Sequence, residues 1–385
     1  MGKAFLYPAQ SPDRRCRNQE IGLMGLPVLN TIGLSIHRIA KCPTEKDGIM
    51  AKVHRDDEVD LKVLSTRKIG IVGYGNQGRA QALNIRDSGF EPMVANRDDE
   101  YKAKAIRDGF KVHSISHVAK EADVILVLIP DEVQPQVYHK HIQPHLWPGD
   151  VLCFASGYNV YYKAIEPPEG IGVIMVAPRM IGEAVRNLYK NGLGFPCLVA
   201  CREGGNGQSM PIALALAKAI GATRLGAFES SFKEEVMIDL FAEQMLWPGI
   251  LKLCLLYFEK LTDYGCDPEV VTSELHLSGE FVEIAKAMIT HGFFGQLKLH
   301  SQTSQYGQLS CMDRMAPPEL LAYTNEALEK IASGKFHAEW AEEQKHGKPN
   351  MKRLWQQIRR HPLAESEAKL DTLRKIVAKS YEGRR

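Results

Sequence analysis

The sequence predicts an α/β fold in its first half, built on a doubly wound sheet, followed by an all-helical second half. Strand and helix signals alternate from Arg67 to about Phe228, the pattern that produces such a sheet. A glycine-rich turn at 73–78 joins the first strand to a helix. After Ser230 the sequence has helical periods and no comparable strand runs, so the second half is expected to be helical.

Apolar runs predict the strands, and glycines and prolines mark where elements end. The run 123–129 is continuously apolar after Asp123, typical of a strand buried on both faces, and Pro130 ends it. Gly89 and Gly109 end the first two helices. The predicted strands are 67–72, 91–96, 123–129, 150–154, 173–177, 196–200 and 223–227, and the predicted helices between them are 79–88, 99–108, 132–143 and 209–220.

The second half is predicted from helical periodicity alone. Helices are expected at 232–264, 268–290 and 318–332. A polar tail of helical period follows from Gly334, and Pro349 and Pro362 are expected to break it.

The composition is that of an ordinary soluble globular protein. The 385 residues are 44% hydrophobic and 24% charged, with a formal net charge of +2. This near-neutral balance gives no electrostatic reason to expect nucleic acid binding, and no apolar run is long enough to span a membrane. The eight cysteines include no Cys-x-x-Cys pair, which argues against a zinc site or redox motif and favours a cytoplasmic setting.

The first 49 residues differ from the rest of the chain. They contain four prolines and a basic stretch, without a helix or strand period. Arg14-Arg15 suggests a twin-arginine export signal, but Asn18-Gln19-Glu20 interrupts any apolar core, so we reject that interpretation. An organellar transit peptide is an alternative. We favour an over-long start, with the natural beginning at Met50.

The glycine turn Gly73-Tyr74-Gly75-Asn-Gln77-Gly78 predicts dinucleotide binding in a Rossmann-type domain. Gly73 permits a tight turn, Gly75 lets the backbone approach a pyrophosphate, and Gly78 lets the helix pack closely on the strand. The helix N-terminus then offers N–H groups and a partial positive charge to the phosphates. The alternative is a structural turn in another kind of α/β unit.

The loop after the second strand bears on the choice of cofactor. Asp98 and Asp99 could accept hydrogen bonds from the ribose hydroxyls and would repel a 2′-phosphate, which favours NADH. Arg97 argues the other way, because it could bind that phosphate or stack on adenine. The sequence gives a slight preference for NADH over NADPH. A solvated helix start is the alternative interpretation of the acidic residues.

Two further stretches follow predicted strands, at the sheet edge where α/β proteins bind ligands. Pro130-Asp131 follows the third strand, and Ser156-Gly157 follows the fourth. Ser156 could hydrogen-bond the nicotinamide or the substrate. An ordinary turn explains Ser-Gly-Tyr-Asn equally well.

A pair of acidic residues lies on the predicted helix 232–264. Asp239 and Glu243 are four residues apart, so they share a face, and apolar residues flank both. Buried carboxylates need a partner, and oxygen ligands at this spacing suit Mg²⁺. Structural salt bridging, to Arg179 or Lys233, is the alternative.

Other polar residues on the later helices could add to a site. Glu274, His276 and Glu280 are candidate ligands or acid–base groups, although a lone helical histidine is more often structural. Ser301 begins a polar turn that could reach a substrate carboxylate or could simply cap the next helix.

From about Met50 to the C-terminus these motifs resemble the ketol-acid reductoisomerases, NADPH- and Mg²⁺-dependent enzymes of branched-chain amino acid biosynthesis. The matching stretches are 73–78, 130–133, 176–178, 232–235, 239–244 and 333–340. The resemblance is to the short form of the family, and it implies a knotted helical domain that forms a homodimer or higher homo-oligomer. It also implies that Asp239 bridges two Mg²⁺ ions, that Glu243 binds one, that Glu274 of the partner subunit binds the second, and that Ser301 binds substrate.

The chain departs from the family at positions close to the chemistry. The fourth metal-binding glutamate falls on Ser278, unless an insertion brings Glu280 into register. Ser156 replaces a histidine, and Arg179 replaces a lysine. Met180-Ile181 stands in a stretch that the family fills with glycine and proline.

With the resemblance, four segments are predicted. They are an extension at 1–49 that is poorly structured, a Rossmann dinucleotide-binding domain at 50–229, a helical domain for substrate, metal and dimerisation at 230–333, and a helical tail at 334–385.

Three hypotheses about function follow. Alkyl migration needs a Lewis acid, whereas reduction needs an oriented hydride donor and one group that stabilises the product. The leading hypothesis is therefore an NAD(P)H-dependent reductase of this family, such as an imine reductase, that acts on a C=O or C=N bond of a small carboxylated substrate and has lost the isomerase step. The second is a genuine ketol-acid reductoisomerase. The third is a dinucleotide-binding protein without catalysis, with Met180-Ile181 closing the site.

Overall fold

A nine-stranded mixed sheet forms the first half of the chain. The computed structural model describes residues 51–202 and 207–382, and the expectations for 1–49 lie outside these ranges. The strands are β1 (Val53–His54), β2 (Ile69–Val72), β3 (Met93–Ala95), β4 (Val112–His113), β5 (Val124–Val127), β6 (Val151–Phe154), β7 (Gly172–Pro178), β8 (Pro196–Arg202) and β9 (Gly226–Glu229).

The strand order is β1-β9-β8-β7-β6-β5-β2-β3-β4. The pairs β1–β9 and β7–β8 are antiparallel, and the other neighbours run parallel. After β1 at one edge of the sheet, the chain forms β2, winds outward through β3 and β4, and then returns to β5 on the other side of β2. This reversal creates the switch point at which doubly wound sheets bind ligands.

Helices cover both faces of the sheet. Those of this half are α1 (Asn76–Asp87), α2 (Glu100–Arg107), α3 (Ile115–Glu121), α4 (Gln134–Val137), α5 (Tyr158–Tyr161), α6 (Gly182–Lys190) and α7 (Ser209–Ala219). On one face Ile85, Val185 and Leu216 of α1, α6 and α7 pack against the strands. On the other face Val118 of α3 and Tyr138 after α4 do so. The prediction of a doubly wound α/β sheet is confirmed.

The second half consists of helices. They are α8 (Phe232–Phe241), α9 (Trp247–Asp263), α10 (Pro268–Thr272), α11 (Glu280–His291), α12 (Gln302–Met312), α13 (Pro318–Ala332), α14 (Lys335–Lys345), α15 (Pro349–Arg359), α16 (Pro362–Lys369) and α17 (Asp371–Glu382). A π turn, Ala242–Leu246, joins α8 to α9, and a second, Ser273–Leu277, follows α10. The helical prediction is confirmed, and the knot stays a prediction. Within the described residues no helix is long and apolar enough to cross a membrane.

A small apolar cluster attaches α13 to α8, the helix that carries Asp239 and leads into the π turn with Glu243. Val236, Leu240 and Ile331 are buried together there, and Tyr158 of α5 and Phe336 of α14 pack against them. This cluster fixes the start of the C-terminal tail beside the sheet.

The predicted strand 223–227 and the predicted helix 268–290 differ from the structure. In place of a strand from Thr223, a 3₁₀ turn occupies Ala222–Arg224, where the Thr223 hydroxyl donates to the Asp56 carboxylate. The predicted helix 268–290 is interrupted at Gly279, whose φ of +76° takes the chain out of the helical region before α11 begins.

Candidate active site

The glycine turn lies between β2 and α1, at the switch point of the sheet. Gly73 has a φ of +102°, and a Cβ there would lie 2.6 Å from the carbonyl oxygen of Leu128. At Gly78 a Cβ would lie 2.0 Å from the carbonyl oxygen of Gly73, so helix and strand approach closely. A Cβ on Gly75 would meet no atom within 4 Å. The turn therefore leaves open space in front of the N-terminus of α1, where a phosphate could bind.

Side chains from neighbouring elements hold this turn in place. The Tyr74 N–H donates to Oδ1 of Asn96 at 3.0 Å, and its hydroxyl donates to Asp108 at 2.9 Å. Arg79 donates two bonds to the same carboxylate, at 2.6 and 3.0 Å. The hydrogen bond from Arg79 lowers the pKa of Asp108, which keeps it ionised as an acceptor. Sequence analysis missed Asn96, Arg79 and Asp108 in this role, because long-range pairing has no local signal.

The acidic loop after β3 is organised around Asp99. Its carboxylate accepts hydrogen bonds from the backbone N–H groups of Tyr101 and Lys102, so it caps α2. Arg97 Nε donates to it at 2.7 Å, and this bond is the main reason that the pKa of Asp99 is lowered. Asp98 pairs with Lys102 at 3.1 Å. Capping of α2, the alternative interpretation of the acidic residues, thus accounts for Asp99. The Arg97 side chain is 83% exposed.

A cleft of about 760 Å³ opens in front of the turn, along the carboxyl ends of β2, β3, β5 and β6. Most of the predicted cofactor residues line it: Gly73, Tyr74, Gly75, Gln77, Arg97, Asp99, Pro130, Asp131 and Ser156. Gly78, Asp98 and Gly157 do not belong to its lining. Gly157 instead packs against α8, where a Cβ would lie 2.5 Å from the carbonyl oxygen of Phe232.

A second, acidic pocket of about 420 Å³ adjoins the cleft. Its lining comes from the ends of β5 and β6, from α8 and its π turn, and from α14: Asp131, Glu132, Ser156, Tyr158, Val236, Asp239, Leu240, Glu243, Phe336 and Trp340. The pocket and the cleft share Asp131, Glu132 and Ser156. Molecules bound in the two spaces would therefore meet at these residues.

Arg179, at the end of β7, binds two carboxylates on successive turns of α8. Its guanidinium donates to Glu235 at 3.1 Å and to Asp239 at 2.7 Å. The salt bridge that we considered as an alternative for Asp239 is therefore present. Arg179 is 27% exposed and Glu235 is 2% exposed, so this pair is largely shielded from water.

Glu235 connects this ion pair to the sheet. Its Oε2 accepts the Gly157 N–H at 2.7 Å. Burial raises the pKa of Glu235 to about 7, an increase to which the negative charge of Asp239 adds, although the Gly157 N–H and Arg179 oppose it. Glu235 lies in a stretch that resembles the family, 232–235, but the sequence did not predict a role for it.

Further acidic groups lie in the rest of the pocket, and one of them, Glu132, pairs with Lys348 at 3.5 Å. Burial raises the pKa of Asp131 to about 6, and the nearby charges of Glu132, Asp239 and Glu243 add to the increase. Partial burial likewise raises the pKa of Glu243, and Asp239 adds to it. A pocket in which carboxylates raise one another's pKa values is suited to a cation.

The amides of Gln134 and Asn159 hold Asp131 in position. The Gln134 side-chain amide donates to the Asp131 carboxylate at 3.1 Å, and the Asn159 amide donates to the Asp131 carbonyl oxygen at 3.0 Å. Asn159 also donates to Gln134, at 3.0 Å. These bonds connect the end of β5 to α5.

The remaining candidate residues lie elsewhere on the single chain. Glu274, Ser278, Glu280 and Ser301 are solvent-exposed and do not line the acidic pocket. His276 pairs with Glu367 of α16 at 3.2 Å, in agreement with a structural histidine. Within residues 51–202 and 207–382, no three His, Cys, Asp or Glu side chains are grouped to hold a metal ion.

Met180 and Ile181 do not close the site. Neither side chain lines the cleft or the acidic pocket, and Ile181 is 64% exposed. Their backbone lies against the glycine turn instead, because the Met180 carbonyl oxygen accepts a hydrogen bond from Gln77 at 2.8 Å. Met180 and Ile181 therefore do not support the hypothesis of a protein without catalysis.

Comparison with known proteins adds to this geometry. Residues 63–226 match the family model described as acetohydroxy acid isomeroreductase, NADPH-binding domain, and residues 232–376 match ketol-acid reductoisomerase, C-terminal domain. A ketol-acid reductoisomerase (NADP(+)) of Methanopyrus kandleri is 42% identical over 85% of this chain and 99% of its own. A ketol-acid reductoisomerase (NAD(P)(+)) of Metallosphaera sedula is 40% identical over 78% of this chain and 90% of its own.

One solved structure is similar along nearly its whole length. It is an NADH-preferring ketol-acid reductoisomerase from an uncultured archaeon, 34% identical, with a TM-score of 0.79 over 84% of this chain and 99% of the other.

Proposed function

The chain belongs to the ketol-acid reductoisomerase family, and we propose that it catalyses both the alkyl migration and the reduction of an acetohydroxy acid such as 2-acetolactate. The observation that supports this is the junction of the cleft and the acidic pocket at Asp131, Glu132 and Ser156. A dinucleotide in the cleft would present its nicotinamide to a small molecule in the pocket. The protein is thus an oxidoreductase that uses a nicotinamide cofactor.

The donor set fits Mg²⁺. The proposed substrate is an anion, so the carboxylates of the pocket require a cation between them and the substrate. Asp239 and Glu243 would hold it, since carboxylate oxygens are the ligands that Mg²⁺ prefers. When bound, Mg²⁺ supplies the Lewis acid that alkyl migration needs. The Gly157 N–H and Arg179 hold Glu235, and Arg179 also holds Asp239. Ser156 offers a hydroxyl at the junction of the cleft and the pocket.

A reductase without the isomerase step, our leading hypothesis from the sequence, is now the second candidate. The similar proteins carry the name ketol-acid reductoisomerase, which favours the complete reaction. One contact still supports the second candidate: Arg179 occupies Oδ1 of Asp239 and competes there with a metal ion. Reduction needs less electrophilic help than migration and would tolerate this competition better.

Two substrates separate the candidates. The purified full chain is given Mg²⁺, reduced cofactor and either 2-acetolactate or the 3-hydroxy-2-keto acid that migration would produce. Cofactor oxidation and the dihydroxy acid product are then measured. Turnover of both supports the proposal, and turnover of the second substrate alone supports the reductase. The control Asp239→Asn should abolish turnover of 2-acetolactate.

Arg179→Lys tests the competition directly. A lysine has one ammonium in place of the forked guanidinium and cannot hold Glu235 and Asp239 in the same way. We expect Arg179→Lys to bind Mg²⁺ more tightly in calorimetry and to raise the rate with 2-acetolactate relative to the rate with the rearranged acid. An unchanged Mg²⁺ affinity would show that Arg179 does not compete with the metal.

We propose further that the protein is a homodimer, or a higher oligomer, through its helical half. Large apolar side chains are exposed along these helices, a distribution that marks a protein interface. Those at least 57% exposed include Trp247, Leu251, Val270, Phe281, Ile289, Phe293, Phe294, Leu299, Ile358 and Ile376. Glu274 is also exposed, so Glu274 of the partner subunit is a candidate ligand beside Asp239.

For the cofactor we propose that NADH is accepted at least as well as NADPH. Asp99 neutralises Arg97 at 2.7 Å, and Asp98 likewise pairs with Lys102 at 3.1 Å, so the cations of this loop are already paired and a 2′-phosphate would gain little there. The ratio of kcat/KM for the two cofactors measures this preference. A ratio strongly in favour of NADPH would contradict the proposal.

A further inference from the structure

Tyr158 and His337 form a pair of ionisable side chains at the edge of the acidic pocket. A hydrogen bond of 3.0 Å joins the Tyr158 hydroxyl to Nδ1 of His337. Tyr158 belongs to the pocket lining, two residues after Ser156 at the junction with the cleft. His337 lies in the first turns of α14, 179 residues further along the chain.

The two neighbouring tyrosines show a different pattern. The hydroxyl of Tyr161 donates to the carbonyl oxygen of Ala332 at 3.2 Å, and that of Tyr162 donates to the carbonyl oxygen of Ile331 at 2.9 Å. Both bonds join α5 to the end of α13, a structural task. Tyr158 alone of these three phenols is bonded to a side chain that can exchange a proton.

The aromatic packing keeps the pair in place. The His337 ring is stacked on Tyr162, with centroids 4.8 Å apart, and the ring of Tyr158 meets Tyr162 edge-on at 5.0 Å. Neither partner of the hydrogen bond is exposed. A phenol held in this way has little freedom to change its orientation.

The reduction also needs a proton donor. Hydride transfer to a carbonyl carbon leaves an alkoxide, which must take a proton. Arg179 is committed to two carboxylates, and Asp131 accepts a hydrogen bond from Gln134. Tyr158 is the phenol in the lining of this pocket, and its O–H can donate a proton to an alkoxide.

We propose that Tyr158 is the proton donor of the reduction and that His337 is the positioning residue that restores its proton. This inference rests on the proposed function, because it concerns the same pocket. Hydride from the reduced nicotinamide forms the C–H bond, and the C=O π electrons move to oxygen. The O–H bond of Tyr158 breaks as that oxygen takes the proton. The phenolate then regains a proton from Nδ1 of the neutral His337 ring while Nε2 of the same ring takes a proton from solvent, so no imidazolate forms. One substrate, one reduced cofactor and one proton thus give the alcohol and the oxidised cofactor.

The electrostatics of the pair agree with these roles. Burial, together with the nearby Tyr162, Asp131 and Glu132, raises the pKa of Tyr158, so the phenol keeps its proton until a strong base such as an alkoxide forms. Burial lowers the pKa of His337, so its ring is mostly neutral at neutral pH and does not place a permanent charge beside the phenol.

The first test removes one oxygen atom. Tyr158→Phe is compared with wild type and with the matched control Tyr162→Phe, using the 3-hydroxy-2-keto acid and single-turnover cofactor oxidation. We expect Tyr158→Phe to lower the rate of reduction about 100-fold or more, with cofactor affinity unchanged, because general acid catalysis typically contributes this much. Tyr162→Phe should keep the rate while lowering thermal stability. A Tyr158→Phe rate within about threefold of wild type would overturn the proposal.

The second test addresses His337 and does not depend on the folding of Tyr158→Phe. His337→Asn retains an acceptor for the phenol hydroxyl but cannot pass on a proton. We expect kcat to fall about tenfold with KM unchanged, and the solvent deuterium isotope effect on the reduction to increase. If His337→Asn kept the wild-type rate and isotope effect, the role of His337 would be only structural and its part of the proposal would fail.

Wild-type turnover separates a failure of the proposed function from a failure of the assignment of Tyr158. If the wild type reduces neither substrate, the proposed function fails, and the proton donor fails with it. If the wild type is active and Tyr158→Phe is equally active, only the assignment of Tyr158 fails.

Discussion

Gly75 and Gly78 lie in one turn but tolerate a side chain very differently. A Cβ on Gly75 meets no atom, whereas one on Gly78 would lie 2.0 Å from a backbone oxygen. We expect Gly75→Ala to fold normally and to weaken NADH and NADPH binding at least about tenfold, because the methyl group would stand where the pyrophosphate approaches. Gly78→Ala should lose about 1–3 kcal/mol of stability, because α1 must move.

Thermal unfolding and fluorescence titration with the reduced cofactors measure the two effects separately. Normal cofactor binding by Gly75→Ala would contradict the assignment of the open space to the pyrophosphate. A Gly78→Ala variant as stable as wild type would mean that the close approach of α1 to the turn carries little energy.

Glu235 makes stability depend on pH. Its pKa rises from 4.5 to about 7 on folding, so between these values the folded protein binds more protons than the unfolded chain. The free energy of unfolding must therefore fall as pH rises from 4.5 to 7. Asp131, whose pKa rises from 3.8 to about 6, adds a fall in the same direction over its own range.

We expect Glu235→Gln to remove most of the first fall, on the order of 3 kcal/mol between pH 4.5 and 7. Urea unfolding at several pH values measures it. Glu234→Gln is the matched control, since Glu234 is the exposed neighbour on α8. Equal pH slopes for wild type and Glu235→Gln would rule out Glu235 as the source.

At this scale the sequence predicted which residues matter better than how they pair. The glycine turn was predicted in detail, because each glycine meets a local backbone demand. The pairing of Arg179 with Asp239, 60 residues apart, was proposed only as an alternative, and that of Tyr158 with His337, 179 residues apart, was not predicted. Such pairs are fixed by the packing of distant elements, which local periodicity does not contain.

Among the elements, buried strands were the most predictable. The strands β2 and β5 are buried at every position, so they appear in the sequence as unbroken apolar runs. The strands β1 and β4 have two residues each, too few for a pattern. The break at Gly279 was missed because apolar residues continue on both sides of it.

The π turn between α8 and α9 is a further feature that periodicity did not predict. It places Glu243 on a wider helical turn than an α-helix would provide, and such turns are common at functional sites. The Gln244 carbonyl oxygen within it accepts a hydrogen bond from the Tyr323 hydroxyl at 2.7 Å. This bond joins α13 to the π turn.

Tyr323→Phe should therefore destabilise the protein by about 1 kcal/mol, because one hydrogen bond is lost and the ring is retained. Tyr306→Phe is the matched control, since that ring is 77% exposed. Chemical denaturation of both variants measures the difference. Equal stability of the two variants would show that the Gln244 carbonyl oxygen is satisfied by water as well as by Tyr323.

For the whole molecule, the two halves differ in what they expose. The sheet half buries most of its large apolar side chains, whereas the helical half exposes them on α9, α11 and several later helices. Sequence periodicity identified these helices but not which of their faces is covered, since a face buried against a second chain has the same pattern as one buried in a core. The carboxylates that line the acidic pocket come from one chain. Glu274 of the same chain is exposed and lies outside the pocket lining.

If the active site is shared between two subunits, two variants that are inactive alone should regain activity in a mixed dimer. If Asp239 of one subunit acts with Glu274 of the partner subunit, Asp239→Asn and Glu274→Gln should each be inactive alone. In a mixed dimer one site receives both substitutions and the other receives none. Random exchange of equal amounts makes half of the dimers mixed, so about a quarter of wild-type activity should return.

The experiment is to unfold and refold the two variants together, confirm the dimer mass by light scattering, and assay reduction of 2-acetolactate. Each variant refolded alone is the control, and so is a mixture of Asp239→Asn with Glu243→Gln, which places both substitutions in the same half-site. That second mixture should stay inactive, because each site of its mixed dimers keeps one defect. Activity in neither mixture would mean that Glu274 does not complete the site, and activity in both would mean that Asp239 and Glu243 are not on the same side of the shared site.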